Sequence, residues 1–271
     1  MGLTPKGLCV APLTHLSTKE VVVHQPTRIE IGGTFNFRDI GGWDTPAGRV
    51  AQGKVFRSDG LSSLTDDARA RLQELGIGTV IDLREERERT NAPNALGDLQ
   101  VNHVHAPLFG NRLYAADRER PDRIVLEKRD LETLYAVLLD HFALNVAHVI
   151  DLVANAQGPL VYHCSAGKDR TGVVTAFIHE LVGVARDDVV TDYNATEQFL
   201  GAEFLAAISA NFANAGIVAN LSETATQAPR VYMDNMLRRV DDEFGGVEQF
   251  LLSGGMNTKT PELLRQKLLV D

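Results

Sequence analysis

Only two cysteines occur in 271 residues, Cys9 and Cys164, so a disulfide framework is excluded as a source of stability. Long apolar runs are also missing: none reaches the length of a membrane span, and residues 1–20 hold no apolar block of leader-peptide length. The expected location is the cytoplasm, or outside it after export without a recognisable signal peptide. Positive charge is scarce, with 27 Lys and Arg against 36 Asp and Glu, a formal charge of -9. That balance excludes broad binding to nucleic acid or anionic membranes, which demands a basic face. Gly32–Gly33 and Gly41–Gly42 read as turn glycines, because no G-x-G-x-x-G or Walker spacing surrounds them. His103 and His105 alternate on one strand face but lack the cysteine or carboxylate spacing that would complete a metal site. No metal and no cofactor is expected.

What is present suffices for one large core, or a core plus a smaller unit: 44% of the residues are hydrophobic. Residues 1–25 have no period and carry Pro5 and Pro12, the composition of a disordered extension. Residues 26–185 read as an α/β core. Arg28–Ile31 and Lys54–Arg57 have strand character. Thr65 is an N-cap for a helix whose apolar face is Ala68, Leu72 and Leu75, stopped by Gly76. Thr79–Leu83 reads as a parallel strand buried on both faces and Gln100–Ala106 as a further strand, whereas the charged connection Arg112–Arg129 has no assigned structure. Leu131–Val153 has the apolar spacing of two helical segments, Leu160–Tyr162 of a short strand, and Thr171–Val182 of an amphipathic helix ending at Gly183. Residues 186–271 read as helices alone, the last starting at Thr260 and Pro261. The fold class is α/β: a central, mainly parallel sheet flanked by helices, with a helical C-terminal subdomain.

The segment Val161–Gly172, VYHCSAGKDRTG, joins the strand to the helix and carries the chemistry. A thiol used as a nucleophile at neutral pH must be an anion, and a helix N-terminus with nearby cations favours that form. Backbone N–H groups of Ser165, Ala166, Gly167, Lys168, Asp169 and Arg170 can turn inward around one tetrahedral anion above Cys164. Gly167 permits the curvature, and Arg170 offers a planar fork that matches two phosphate oxygens, which lysine cannot reproduce. Thr171 is placed to hydrogen-bond the sulfur, and His163 to hold the loop and favour thiolate. The reaction these groups suit is phosphate-ester hydrolysis through a phosphocysteine, with charge on the equatorial oxygens met by amides and guanidinium.

The loop H-C-S-A-G-K-D-R-T-G resembles the H-C-x-x-G-x-x-R-[ST] signature of protein tyrosine phosphatases. Its G-K-D-R-T-G ending is similar to the bacterial tyrosine/serine phosphatase family, which includes a secreted mycobacterial member. Asn36–Gly42 (N-F-R-D-I-G-G), Val55–Ser58 (V-F-R-S) and Gly76–Arg84 (G-I-G-T-V-I-D-L-R) agree with it. The resemblance runs from about Arg28 to the end. It implies the phosphatase α/β fold, no metal, and phosphotyrosine proteins as substrates, with phosphoserine, phosphothreonine or phosphoinositides beside them and inorganic phosphate as product and inhibitor. Lys168 has two readings: a site for a second phosphate, or added charge near Cys164. The family also implies a mobile lid; Tyr193, Phe199, Phe204, Phe212 and Tyr232 would line it, or simply pack the core.

Expelling the leaving oxygen needs a proton donor. Asp82, at the end of the Thr79–Leu83 strand, and Asp169, inside the loop, are the candidates, with Asp82 slightly preferred. The plainer reading of Asp82 is a carboxylate paired with Arg84 or Arg57, and of Asp169 a helix cap. The polar groups of Asn36–Gly42 have two readings, facing the site or, by default, turn roles for Asn36, Asp39 and both glycines. Two rival functions are a rhodanese-like sulfurtransferase, which lacks this G-K-D-R-T-G continuation, and a phosphate-reading pseudophosphatase, which the joint presence of Cys164, Arg170 and an aspartate disfavours.

Overall fold

The computed structural model describes residues 24–113, 121–125, 130–214 and 226–271. Most of the N-terminal extension, Cys9 and much of the Arg112–Arg129 connection lie outside these, and no side chain is described for Phe212. In chain order the elements are β1 Arg38–Asp39, β2 Asp44–Thr45, β3 Gly48–Val50, β4 Val55–Ser58, α1 Asp66–Glu74, β5 Thr79–Asp82, α2 Glu86–Asn91, β6 Asn102–His105, α3 Leu131–His141 and α4 Ala143–Asn155. They continue as β7 Leu160–His163, α5 Asp169–Val182, α6 Arg186–Asn194, α7 Thr196–Phe199, α8 Ala202–Asn214, α9 Arg230–Phe244, α10 Val247–Ser253, α11 Thr260–Leu268 and β8 Leu269–Val270.

The main sheet has the order β1-β4-β7-β5-β6. β4, β7, β5 and β6 pair in parallel and β1 runs antiparallel at the edge. β4, β5 and β7 are buried along their whole length, each with an apolar pair covered on both faces and a polar residue, Ser58, Asp82 or His163, at its C-terminal end. β7 sits at the centre, so the loop leaving its C-terminal end emerges in the crevice beyond the carboxyl ends of the strands, where α/β sheets place their ligands. α4, α5, α9, α10 and α11 share one large core, in which Phe177 meets Phe250 edge to face at 5.6 Å. A smaller core on the other face joins α1 to Ile31, Phe37, Phe56 and Val80.

Local signals explain most boundaries. Thr65 Oγ1 accepts from the Ala68 amide at 3.1 Å, and Gly76 takes φ +70 just past the α1 end. The Leu131–Val153 region breaks at Phe142 into two helices bent by 82°. Among the described residues no single helix is long and apolar enough to cross a membrane.

Two expectations are corrected. Arg28–Ile31 makes only an isolated bridge, Arg28 to Arg38, because β1 is just two residues long and the chain turns at Gly32–Gly33. The C-terminal part is not helices alone: β8 pairs antiparallel with β3 and closes a three-stranded sheet with β2, tying the end of the chain to the β2–β3 hairpin.

Candidate active site

The loop between β7 and α5 is held by its carbonyls. His163 Nδ1 donates to the Cys164 carbonyl at 3.3 Å and the Gly60 amide to the Ser165 carbonyl at 3.1 Å. Asn36 Nδ2 donates to the carbonyls of Ala166 and Gly167 at 3.0 Å each, and Arg57 Nη2 to Gly167 at 2.7 Å. Four consecutive carbonyls are thus drawn toward the scaffold. In a trans peptide the N–H points away from the preceding carbonyl, so the amides of Ser165 to Lys168 face the other side. Among the described residues, those of Ser165, Ala166 and Gly167 donate to no protein acceptor. The result is a concave set of donors suited to an anion.

Gly167 is required twice over. Its φ is +64, and a Cβ there would lie 2.6 Å from the Asp59 amide nitrogen. α5 starts at Asp169, two residues before the expected Thr171, with Lys168 at its N-cap position and no side-chain cap, so Asp169 is not the cap either. Cys164 Sγ accepts from Thr171 Oγ1 at 3.1 Å and the residue is only 2% exposed. Lys168, also buried, donates from Nζ to the Gln227 carbonyl at 3.0 Å, which brings the segment before α9 onto the loop. Burial drives the His163 imidazole down to about 4, against the pull of Asp82, so it is neutral at pH 7. It secures the loop and adds no charge beside the thiol, contrary to the expectation that it would favour thiolate.

A buried ion cluster stands behind the loop. Arg57 Nη1 donates to Asp192 Oδ2 at 2.5 Å, and Arg38 reaches the same carboxylate from Nε at 3.3 Å, the Asp192 carbonyl at 2.9 Å and Thr196 Oγ1 at 3.2 Å. Burial would raise the Asp192 carboxyl, but the two guanidiniums hold it well below the usual carboxylate range. Burial pushes Arg38 down to about 10, and Arg57 adds to this. Arg38 Nη1 also donates to Asn36 Oδ1, which orients the Asn36 amide so that Nδ2 faces the loop. The turn role assigned to Asn36 is therefore corrected: it is a loop tie. The available signal was an arginine inside each of two buried strands, since such a charge needs a partner.

The two acid candidates differ sharply. Asp82 is 0% exposed; Oδ1 accepts from the Arg84 amide at 3.0 Å and Arg84 Nε at 2.9 Å, and Oδ2 from Arg84 Nη2 at 2.8 Å and Asn94 Nδ2 at 3.1 Å. Burial would raise its carboxyl, but these bonds and His163 hold it far below the usual range. A carboxylate so bound has no proton to give at pH 7, which removes the reason for preferring it. Asp169, at the first turn of α5, keeps a side chain 24% exposed, accepts from Tyr135 Oη at 3.1 Å and lies 3.7 Å from Lys168 Nζ. Tyr135 and Tyr193 are joined hydroxyl to hydroxyl at 2.7 Å behind it.

Sequence reasoning did not single out Glu85 and Glu88. Glu88 receives Arg170 Nη1 at 2.5 Å, Arg170 Nη2 at 2.8 Å and Ser165 Oγ at 2.5 Å. The capping-box spacing Glu85 to Glu88 at the α2 start was the legible signal. Arg170 Cζ stands 5.6 Å from the Phe109 ring centroid. Among the described residues no cluster of three or more His, Cys, Asp or Glu could hold a metal.

Glu85 gives a pH-dependent prediction. Burial raises its carboxyl from 4.5 to about 7, with Glu88 adding and Arg170 opposing, and Oε2 has no hydrogen-bond partner. The unfolded chain loses this proton near 4.5 and the folded one only near 7, so stability from this group is complete below 4.5 and lost as pH rises to 7. Glu85→Gln should therefore gain about 3 kcal/mol relative to the parent between about pH 4 and pH 8. Urea unfolding across that range checks it; a pH-independent difference contradicts it.

A sequence profile described as the tyrosine phosphatase family matches residues 29–270. A Cupriavidus necator protein named as a candidate tyrosine-protein phosphatase is 27% identical over 87% of this chain and 90% of its own length. The triple specificity protein phosphatase PtpB of Mycobacterium tuberculosis is 29% identical over 89% of this chain and 98% of its own. Among solved structures, P. aeruginosa TpbA matches with a TM-score of 0.36 and 19% identity, over 62% of this chain and 91% of that one.

Proposed function

The chain belongs to the tyrosine phosphatase family, and from that premise we propose that it hydrolyses phosphotyrosine in proteins through a phosphocysteine on Cys164. The observation that carries the residue assignment is the outward tethering of four consecutive loop carbonyls, which turns the intervening amides toward one anion. Those amides and Arg170 take the phosphate oxygens, and the oxygens gain negative charge in the transition state where the donors are already in place. Cys164 Sγ attacks phosphorus in line. Thr171 Oγ1, already bonded to the sulfur, stabilises the thiolate as it leaves when water cleaves the phosphocysteine. Family membership favours turnover over passive phosphate reading, and gives no support to sulfur transfer.

Asp169 donates the proton to the leaving oxygen and takes one from water in the second step, a role that its partial exposure beside the loop allows. Asp169→Asn is expected to lower kcat about 100-fold for an alkyl phosphate and to flatten the acid-dependent limb of its pH–rate profile, while sparing the first, nitrophenol-releasing step with a nitrophenyl phosphate. Asp82→Asn should instead lower the unfolding temperature and leave the profile's shape unchanged. Steady-state kinetics on the alkyl phosphate and the initial burst of nitrophenol from the aryl one decide; the reverse pattern would return the role to Asp82.

The substrate range extends to phosphoserine and phosphothreonine, and inorganic phosphate inhibits as product. Phosphoinositide hydrolysis has less support, because Lys168 Nζ is already engaged by the Gln227 carbonyl and a second phosphate would have to replace it. Two contacts suit a cover beside the loop: Phe204 lies edge to face with Phe35 at 5.7 Å, and the Gln227 carbonyl accepts from Lys168 Nζ.

A further inference from the structure

We propose that Tyr135 and Tyr193 are positioning residues for Asp169: two buried phenols in a chain that holds one carboxyl oxygen and leaves the other to exchange the proton with the leaving oxygen and with water. The inference rests on the phosphatase reading of the site and on Asp169 as its proton donor. Its basis is a pair of tyrosines from two helices outside the loop, Tyr135 of α3 and Tyr193 of α6, only 3% and 1% exposed. Their hydroxyls meet at 2.7 Å, and the chain ends on Asp169 Oδ1, 3.1 Å from Tyr135 Oη.

Proton count sets the direction of the chain. A phenol has one proton to donate and a carboxylate only accepts, so the Tyr135 proton goes to Asp169 and the Tyr193 proton makes the bond between the hydroxyls. Burial pushes both phenols well above their usual 10, with the Asp169 charge adding, so both remain neutral donors and neither supplies the catalytic proton. Lys168 Nζ also stands 3.7 Å from Oδ1, whereas among the described residues Oδ2 accepts no hydrogen bond. Oδ1 can accept from Tyr135 whether or not Oδ2 carries a proton, so the tie lasts through the cycle. In the first step sulfur bonds to phosphorus, the ester P–O bond breaks and the Oδ2 proton passes to the ester oxygen. In the second, water attacks phosphorus, one of its protons returns to Oδ2 and the sulfur leaves as thiolate.

The phenols form a rigid frame on the loop side of α5. The Tyr193 ring lies against Gly172, which shares a helix face with Asp169 three residues earlier; a Cβ on Gly172 would sit 2.9 Å from Tyr193 Cδ2. A glycine inside a helix costs about 1 kcal/mol relative to alanine, and here it is what lets the ring approach. Tyr193 directly follows Asp192, the carboxylate held by Arg38 and Arg57, and Arg57 also holds the Gly167 carbonyl, so the phenol frame and the anion loop share one anchor. Tyr135 packs edge to face on Tyr193, with 6.4 Å between ring centroids, and lies in the large core with Leu134 and Leu138. Asp169, by contrast, is 24% exposed in the first turn of its helix, where its side chain would otherwise move among rotamers.

The test compares Tyr135→Phe, Tyr193→Phe, Asp169→Asn and the double variant Tyr135→Phe/Asp169→Asn with the parent. It reads kcat and KM on an alkyl phosphate across pH, the initial burst of nitrophenol from nitrophenyl phosphate, and the unfolding midpoint. Tyr135→Phe should lower kcat on the alkyl phosphate about 10-fold, with KM and the burst changed less than about twofold. It should also move the acid-dependent limb to higher pH, because a carboxylate that loses a donor keeps its proton more readily. Tyr193→Phe should act in the same direction by about 3-fold. In the double variant the tyrosine change should add nothing to the loss from Asp169→Asn, since it acts only through that carboxyl. Losses that multiply in full, or a burst reduced as much as alkyl turnover, would mean a general disturbance of the loop and overturn the proposal. A lowered midpoint with unchanged alkyl kcat and an unmoved limb would reduce the pair to core packing and also overturn it. A parent that releases no phosphate sinks the phosphatase reading, and full alkyl turnover in Asp169→Asn sinks the donor assignment; either takes this inference with it.

Discussion

Cys164→Ser should lose turnover of an aryl phosphate by about a thousandfold or more and remain a folded protein that binds phosphate. Serine at this position is isosteric, so the ties that shape the loop, from His163, Gly60, Asn36 and Arg57 to carbonyls 164–167, are untouched. Its hydroxyl accepts the Thr171 bond equally well. What is lost is the sulfur nucleophile, and no base within the described contacts of Cys164 would deprotonate a serine: His163 faces the backbone carbonyl through Nδ1 and Asn94 through Nε2. The variant should therefore retain a phosphopeptide without releasing phosphate, as read by calorimetry beside a phosphate-release assay. Retained turnover would remove the thiol from the mechanism.

Asp192→Ala should be the most damaging change outside the loop, lowering stability by about 3–5 kcal/mol. Asp192 is the carboxylate shared by Arg38 and Arg57, all three fully enclosed, and its removal leaves two guanidiniums facing each other in the core. For a chain of this size each kcal/mol moves the unfolding midpoint by about 2–4 °C, so a drop of about 10 °C is expected. Activity should fall as well, because Arg57 holds the Gly167 carbonyl and Arg38 orients Asn36. Asp192→Asn, which keeps shape and loses charge, should lie between. Thermal unfolding followed by calorimetry checks the order; a loss below about 1 kcal/mol for the alanine variant would show the cluster contributes little.

The strand, loop and helix around Cys164 were legible because everything that defines them is local: an apolar strand, a glycine at a left-handed position, and an amphipathic helix directly after. Thr65 and Pro261 marked helix starts for the same reason. The Arg84 partner of Asp82 was also visible, being two residues away, yet choosing between pairing and proton donation needed the burial and the second pair of donors. The groups that hold the loop were not legible. Arg57 meets Gly167 110 residues on, Asn36 meets Ala166 130 residues on, Arg57 meets Asp192 135 residues on and Glu88 meets Ser165 77 residues on. A buried arginine announces that it needs an anion without saying which. β8 escaped because two residues after a helix carry no period, and only the facing β3 edge makes them a strand.

Direct capture of the covalent intermediate tests the central claim. Asp169→Asn, which should slow the second step, is mixed with nitrophenyl phosphate, quenched within a turnover and digested, and the phosphorylated peptide is located by mass spectrometry. Phosphate on the sulfur of Cys164 is the predicted result. Release of nitrophenol with phosphate on another side chain, or on none, would contradict it.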